Sequence, residues 1–160
     1  IQRRRGRGRL GVISGVTCKN IEMKDVVTPF VINMYYNMGD ETGHTEYVWT
    51  TKKLPVDDLT PVVGDFEFEN MRCEGVCCCA GAFYGLPESP IERVKLKNVS
   101  FTFNPECQPS FPDMKEKNHS VKNGGLYFQF TDKVELENVT FDGVCGEEVE
   151  CEGVGSVKRL

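Results

Sequence analysis

The feature that most constrains this chain is an eight-residue pattern that it carries in four copies. They read Val16-Thr17-Cys18-Lys19-Asn20-Ile21-Glu22-Met23, Phe66-Glu67-Phe68-Glu69-Asn70-Met71-Arg72-Cys73, Val94-Lys95-Leu96-Lys97-Asn98-Val99-Ser100-Phe101 and Val134-Glu135-Leu136-Glu137-Asn138-Val139-Thr140-Phe141. In each copy apolar and polar residues alternate, the period of a strand with one dry and one wet face. At the asparagine the alternation slips by one residue, because an apolar residue follows it directly. A bend must sit there, and asparagine is the residue other than glycine that best tolerates the left-handed backbone a bend requires. Asn20, Asn70, Asn98 and Asn138 are therefore predicted to stack in successive coils, facing inward, with their amides hydrogen-bonded as a ladder.

The asparagines are 50, 28 and 40 residues apart, so a constant cross-section carries loops of variable length. That is solenoid behaviour, and a repeat of this kind decides the architecture before any single motif does. Further strands are expected at Phe30 to Tyr36, Ala82 to Tyr84 and Gly125 to Phe130, as the other walls of each coil. Glycine, proline and polar residues cluster from Asn37 to Pro61, Gly85 to Pro90 and Asn104 to Gly124, which read as loops. After Phe141 the pattern decays, and the solenoid is expected to end there. The fold class is all-β, a right-handed parallel β-helix in a single domain over residues 1–160, with its N-terminal coil uncovered.

Composition narrows the function. No run of about 18 apolar residues occurs, which argues against a membrane-spanning helix. A net charge of -5 argues against general nucleic-acid affinity, although Arg3, Arg4, Arg5, Arg7 and Arg9 crowd the first ten positions. A chain that opens on Ile1 rather than methionine reads as a fragment. The eight cysteines lack zinc-site spacing, and Cys18 and Cys73 occupy dry positions of the repeat, so core thiols are expected ahead of metal ligands or disulfides. No cofactor and no metal is expected.

With the repeat established, further segments carry a resemblance. Arg4-Arg5-Gly6-Arg7-Gly8, Lys19-Asn20-Ile21-Glu22-Met23, Thr28-Pro29-Phe30-Val31-Ile32-Asn33-Met34-Tyr35-Tyr36, Tyr47-Val48-Trp49, Leu54-Pro55-Val56-Asp57-Asp58-Leu59-Thr60-Pro61 and Ala82-Phe83-Tyr84-Gly85-Leu86-Pro87-Glu88, in this order, resemble the later coils of glycoside hydrolase family 28. The resemblance implies a pectin-lyase-like fold and inverting hydrolysis of galacturonic-acid-containing poly- or oligosaccharide. Inversion needs one carboxylic acid to protonate the leaving oxygen and a carboxylate opposite to activate water. In the family these come from Asn-Thr-Asp and Asp-Asp segments, followed by Gly-His-Gly, upstream of the arginine-rich stretch. None of the three segments occurs here, and the pair Asp57-Asp58 lies after the arginines, so the chain alone is expected to be inactive and to have no catalytic residue.

The resemblance also nominates substrate contacts. Ile1 matches the middle of an Arg-Ile-Lys segment that holds the substrate carboxylate, but the lysine position carries Gln2, which brings a hydrogen-bond donor and no charge. Arg3 could compensate, and Arg4, Arg5 and Arg7 are candidates because guanidinium forks suit planar carboxylates. Tyr36 matches the family's tyrosine that reaches the saccharide from the side. Tyr35, Trp49 and Tyr84 could stack on sugars or pack a core, with Tyr36 expected outward. Glu88 could border the cleft or be a charged turn residue. His44 and His119, in polar loops with no adjacent nucleophile, read as surface residues. The glycosylation patterns at Asn98, Asn118 and Asn138 are discounted, two of them because ladder asparagines should face inward. The partner is expected to be pectic saccharide, with self-association through the uncovered coil; the alternatives are a non-catalytic carbohydrate-binding or structural remnant and, less well supported, a lyase, which would need calcium-binding acids.

Overall fold

The computed structural model describes residues 1, 3–6, 11–36, 45–112 and 120–160. Its strands are β1 (Val12–Ile13), β2 (Val16–Lys24), β3 (Phe30–Asn33), β4 (Val62–Val63), β5 (Asp65–Val76), β6 (Cys79–Tyr84), β7 (Ile91–Phe103), β8 (Gly124–Gln129), β9 (Thr131–Asp142), β10 (Val149–Glu152) and β11 (Ser156–Arg159), with one short helix, α1 (Thr45–Trp49). The protein is all-β and its sheets are parallel, with no closed barrel. One sheet runs in the order β11-β9-β7-β5-β2, a second β10-β8-β6-β3, and β1 pairs with β4 alone. From β5 to β11 the chain alternates strictly between the two larger sheets, so each sheet gains one parallel strand at every pass.

The repeat sets the register. Phe66, Val94 and Val134 are Cα partners in succession, as are Phe68, Leu96 and Leu136. Asn20, Asn70, Asn98 and Asn138 all have positive φ, between 51° and 58°. Their amides form the ladder: Asn70 Nδ2 donates to Asn20 Oδ1 at 3.2 Å, Asn98 to Asn70 at 3.0 Å and Asn138 to Asn98 at 2.9 Å. Burial follows the slip, since Phe66, Phe68, Met71 and Cys73 of β5 are buried while Asn70 is exposed. The expected inward-facing ladder is thus an outward one. At a left-handed corner the strand turns past the side chain, which leaves the core to its apolar neighbours on both sides.

Between the sheets lies one apolar core in which side chains stack in columns: Phe83 on Phe128 at 4.6 Å between ring centroids, Phe101 on Phe141 at 5.2 Å. Outside, charges alternate in sign along a column, Lys19 beside Glu69 and Lys97 beside Glu137, at 2.6 and 2.9 Å. Such exposed pairs contribute little stability each but disfavour slipped registers, which would set like charges side by side.

Three sequence expectations need correction. The strands do not end at Phe141, because β10 pairs in register with β8 and β11 with β9. β10 keeps the alternation at Val149 and Cys151, the partners of Leu126 and Phe128, but Val149 is only partly buried and Cys151 exposed, and β11 is exposed at all four positions. Asn37 to Pro61, read as a loop, contains α1. Cys77 and Cys107, read among thiols, form a disulfide, whereas Cys73, Cys78 and Cys79 are buried free thiols and Cys145 and Cys151 are exposed.

Candidate functional site

One of the arginines nominated for a carboxylate ligand, Arg5, faces the interior. Arg5 is 2% exposed. Its Nε and Nη2 donate to the two carboxylate oxygens of Glu88 at 2.5 and 2.9 Å, and Nη1 donates to the carbonyls of Tyr47, Val48 and Thr50. Those carbonyls close the C-terminal end of α1, where a cation is favoured. Glu88 also accepts from the Leu54 amide at 3.4 Å. Burial pushes the Glu88 carboxyl up, but the Arg5 hydrogen bonds and charge, with backbone donors, prevail and hold it below its ordinary value of 4.5. Arg5 and Glu88 therefore form a structural tie between the chain start, the α1 segment and the turn after β6. The Arg5 guanidinium nominated for a substrate carboxylate is thus turned inward and taken up by Glu88, whose side chain is itself 1% exposed.

Arg3 and Arg4 are half-buried, and the Ile1 and Arg3 backbones hydrogen-bond along β3, Asn33 N to Ile1 O at 3.0 Å and Arg3 N to Asn33 O at 3.2 Å. Gln2, Arg7, His44 and His119 lie outside the described residues. Tyr36 is half-buried rather than plainly outward, because the strand stops at Asn33, whose Oδ1 accepts the Tyr35 amide at 2.8 Å in a side-chain turn that ends the alternation. The pair Asp57-Asp58 is a turn, with the Asp57 carboxylate accepting from the Leu59 amide and the Thr60 hydroxyl.

What the fold does bring together is a row of tyrosines on the outer face of the β10-β8-β6-β3 sheet. Inward residues of β8 are Leu126 and Phe128, so Tyr127 points out, and Tyr84 lies beside it with ring centroids 5.6 Å apart. Tyr35 packs against the same outer cluster with Cys78, Cys79 and Ala82; its hydroxyl is buried with no hydrogen-bond partner among the described residues. Glu152, one strand on, accepts from the Tyr127 hydroxyl at 2.7 Å and from Gln129 Nε2 at 2.8 Å. Burial pushes the Tyr84 and Tyr127 hydroxyls up, with Glu152 adding to the second, so both rings are neutral phenols at physiological pH.

The loop after β7 roofs part of this row. It is fastened by the Cys77–Cys107 disulfide, by the Ser110 and Val121 backbone pair at 2.9 and 2.7 Å, and by Cys78 Sγ donating to Ser110 O at 3.5 Å. Gly124 lets the roof come down, since a Cβ there would stand 2.5 Å from Val121 Cγ1. Between roof and sheet is a recess of about 220 Å³ with Tyr84, Tyr127, Val121, Pro112 and Glu150 in its walls. Tyr84 was weighed in the sequence; Tyr127 and Glu150 were not, although strict alternation in Leu126-Tyr127-Phe128 already sets Tyr127 apart from the core. No cluster of metal-binding side chains occurs among the described residues.

Comparisons with protein-family models, with curated proteins and with solved structures return no significant match to this chain.

Proposed function

We propose that the stacked sheets are a right-handed parallel β-helix of the pectin-lyase-like type, and that the chain is the C-terminal part of a polygalacturonase-like glycoside hydrolase acting on pectic saccharide. The observation that carries this reading is the amide ladder, in which four left-handed asparagines recur at the corners of parallel, in-register strands. Parallel strands joined by crossovers take the right-handed sense in nearly all proteins, which supports the handedness. In this reading the chain contributes rigid coils and part of a saccharide wall, with Gln2, Arg3, Arg7 and Tyr36 as the contacts nominated by the resemblance. The two carboxylates that inversion requires belong to segments this chain does not contain.

Incubated with polygalacturonate, the chain alone releases no reducing ends. A protein that carries Asn-Thr-Asp and Asp-Asp segments ahead of Ile1 releases them, with inverted anomeric configuration visible by proton NMR. Release by the isolated chain overturns the assignment of the acids, and silence from the longer protein overturns the hydrolase reading. The tyrosine recess favours a second reading, a non-catalytic carbohydrate-binding β-helix, in which saccharide binds the isolated chain and no longer protein hydrolyses it.

A further inference from the structure

Tyr127, half-buried, supplies an apolar ring face with its hydroxyl at the edge, the surface a pyranose uses for its C–H face, and Tyr84, 3% exposed, closes the recess beside it. The recess, at about 220 Å³, is below the range of about 300–1,000 Å³ typical of drug-sized ligands, so it suits one ring rather than a chain. Its size has a sequence cause. In the outward column that runs Val31, Ala82, Tyr127, Glu150, the small residue is Ala82, and a larger side chain there would enter the space.

Charge then selects among sugars. Glu150 lines the recess and no lysine or arginine does among the described residues. Glu152 stands on the same strand, held by Tyr127 and Gln129. Two cations of the surrounding segments are engaged elsewhere: Lys122 donates to Pro105 O at 2.8 Å and Arg159 pairs with Glu148 at 3.1 Å. A carboxylate entering here would meet one like charge at the wall and a second close by, and no lysine or arginine among the described lining residues offsets them. Sugar hydroxyls, by contrast, are donors that carboxylates accept well.

We propose that the recess between Tyr84, Tyr127 and Glu150 is a binding site for a single uncharged pyranose, and that it discriminates against the free uronate. The inference rests on the preceding reading for its ligand class, and within that class it selects the methyl-esterified or neutral sugar rather than galacturonate. It assigns to this face the opposite preference from the basic segment at the chain start. Tyr127 forms the platform, Tyr84 the side wall and Glu150 the acceptor that also repels anions.

The test uses the whole chain and three probes: methyl-esterified trigalacturonate, the same trimer de-esterified, and a neutral galactose trimer, each titrated while the tyrosine ring signals are followed by NMR. The two uncharged probes shift the Tyr127 and Tyr84 signals, and the free acid binds at least tenfold more weakly at neutral pH. Tyr127→Ala weakens the uncharged probes at least tenfold. Glu150→Gln, an exposed substitution that leaves the fold intact, brings the free acid to within about threefold of the ester. Equal or tighter binding of the free acid to the unaltered chain overturns the selectivity, and absence of binding by all three overturns the site. Binding of the galactose trimer without the ester retains the recess and counts against the pectic reading, which the hydrolysis assay on a longer protein tests separately.

Discussion

Asn98 holds two roles that substitution can separate. Its backbone sits at φ 52°, and its side chain links two neighbours, donating to Asn70 and accepting from Asn138. Alanine loses both hydrogen bonds and meets the left-handed penalty of about 1–2 kcal/mol, whereas glycine loses the bonds but takes the backbone freely. Asn98→Ala is expected to lower the unfolding free energy by about 2–3 kcal/mol and Asn98→Gly by about 1–2 kcal/mol, measured by urea denaturation. If the two variants are equally unstable, the corner conformation is not what selects asparagine. The corner was legible because the apolar phase changes at one residue type each time. The direction of the side chain was not, since alternation describes residues within a strand and a residue at the bend belongs to neither face.

Arg5 and Glu88 act between elements, and their pairing was invisible in sequence for a simple reason. Five arginines crowd the start of the chain, and the residue that selects one of them for burial is 83 positions away. The same distance argument hides the Cys77–Cys107 link, whose partner lies in a loop with no strand pattern to mark it. With both side chains 1% exposed, removing one partner strands the other charge in the interior. Glu88→Gln and Arg5→Ala are each expected to cost about 3–5 kcal/mol, while the double replacement Arg5→Met with Glu88→Leu recovers much of that loss, since an apolar pair leaves no charge behind. The pair also sets an acid sensitivity. Glu88's folded pKa lies below its ordinary 4.5, so its contribution is complete above that value and disappears as pH falls from 4.5 through the lower folded value. The melting temperature of the unaltered chain should therefore drop more steeply on acidification than that of the double variant; parallel profiles would show that Glu88 does not couple folding to protons.

At the scale of the whole molecule, stability is a sum over neighbouring passes of the chain, because each strand pairs only with those directly above and below. The middle passes have both neighbours: the inward residues of β5 and β7 are buried throughout, Phe66, Val94 and Leu96 completely. The outer strands β2 and β10 have one: Val16, Cys18, Ile21 and Met23 of β2 and Val149 of β10 are only partly buried, as are Val139 and Phe141 of β9, which lie beyond the stretch that β11 pairs with. The repeat made this organisation readable, since four copies of one strand with variable spacing describe a stack before any contact is known. It did not reveal β10 and β11, because Val149-Glu150-Cys151-Glu152 alternates over only four residues without the asparagine phase change and Ser156-Val157-Lys158-Arg159 holds a single apolar residue. The stack has a kinetic signature. Amide hydrogen exchange should be slowest in β5 and β7, intermediate in β9 and fastest in β2 and β11, with β3 slower than β2 because the Ile1 and Arg3 backbones pair along its edge. A gradient that runs from the centre to both ends is the expected result by mass spectrometry or NMR. Uniform protection along the chain would mean that the passes unfold as one unit, and protection of β2 equal to β7 would mean that a second copy covers the β2 edge in solution.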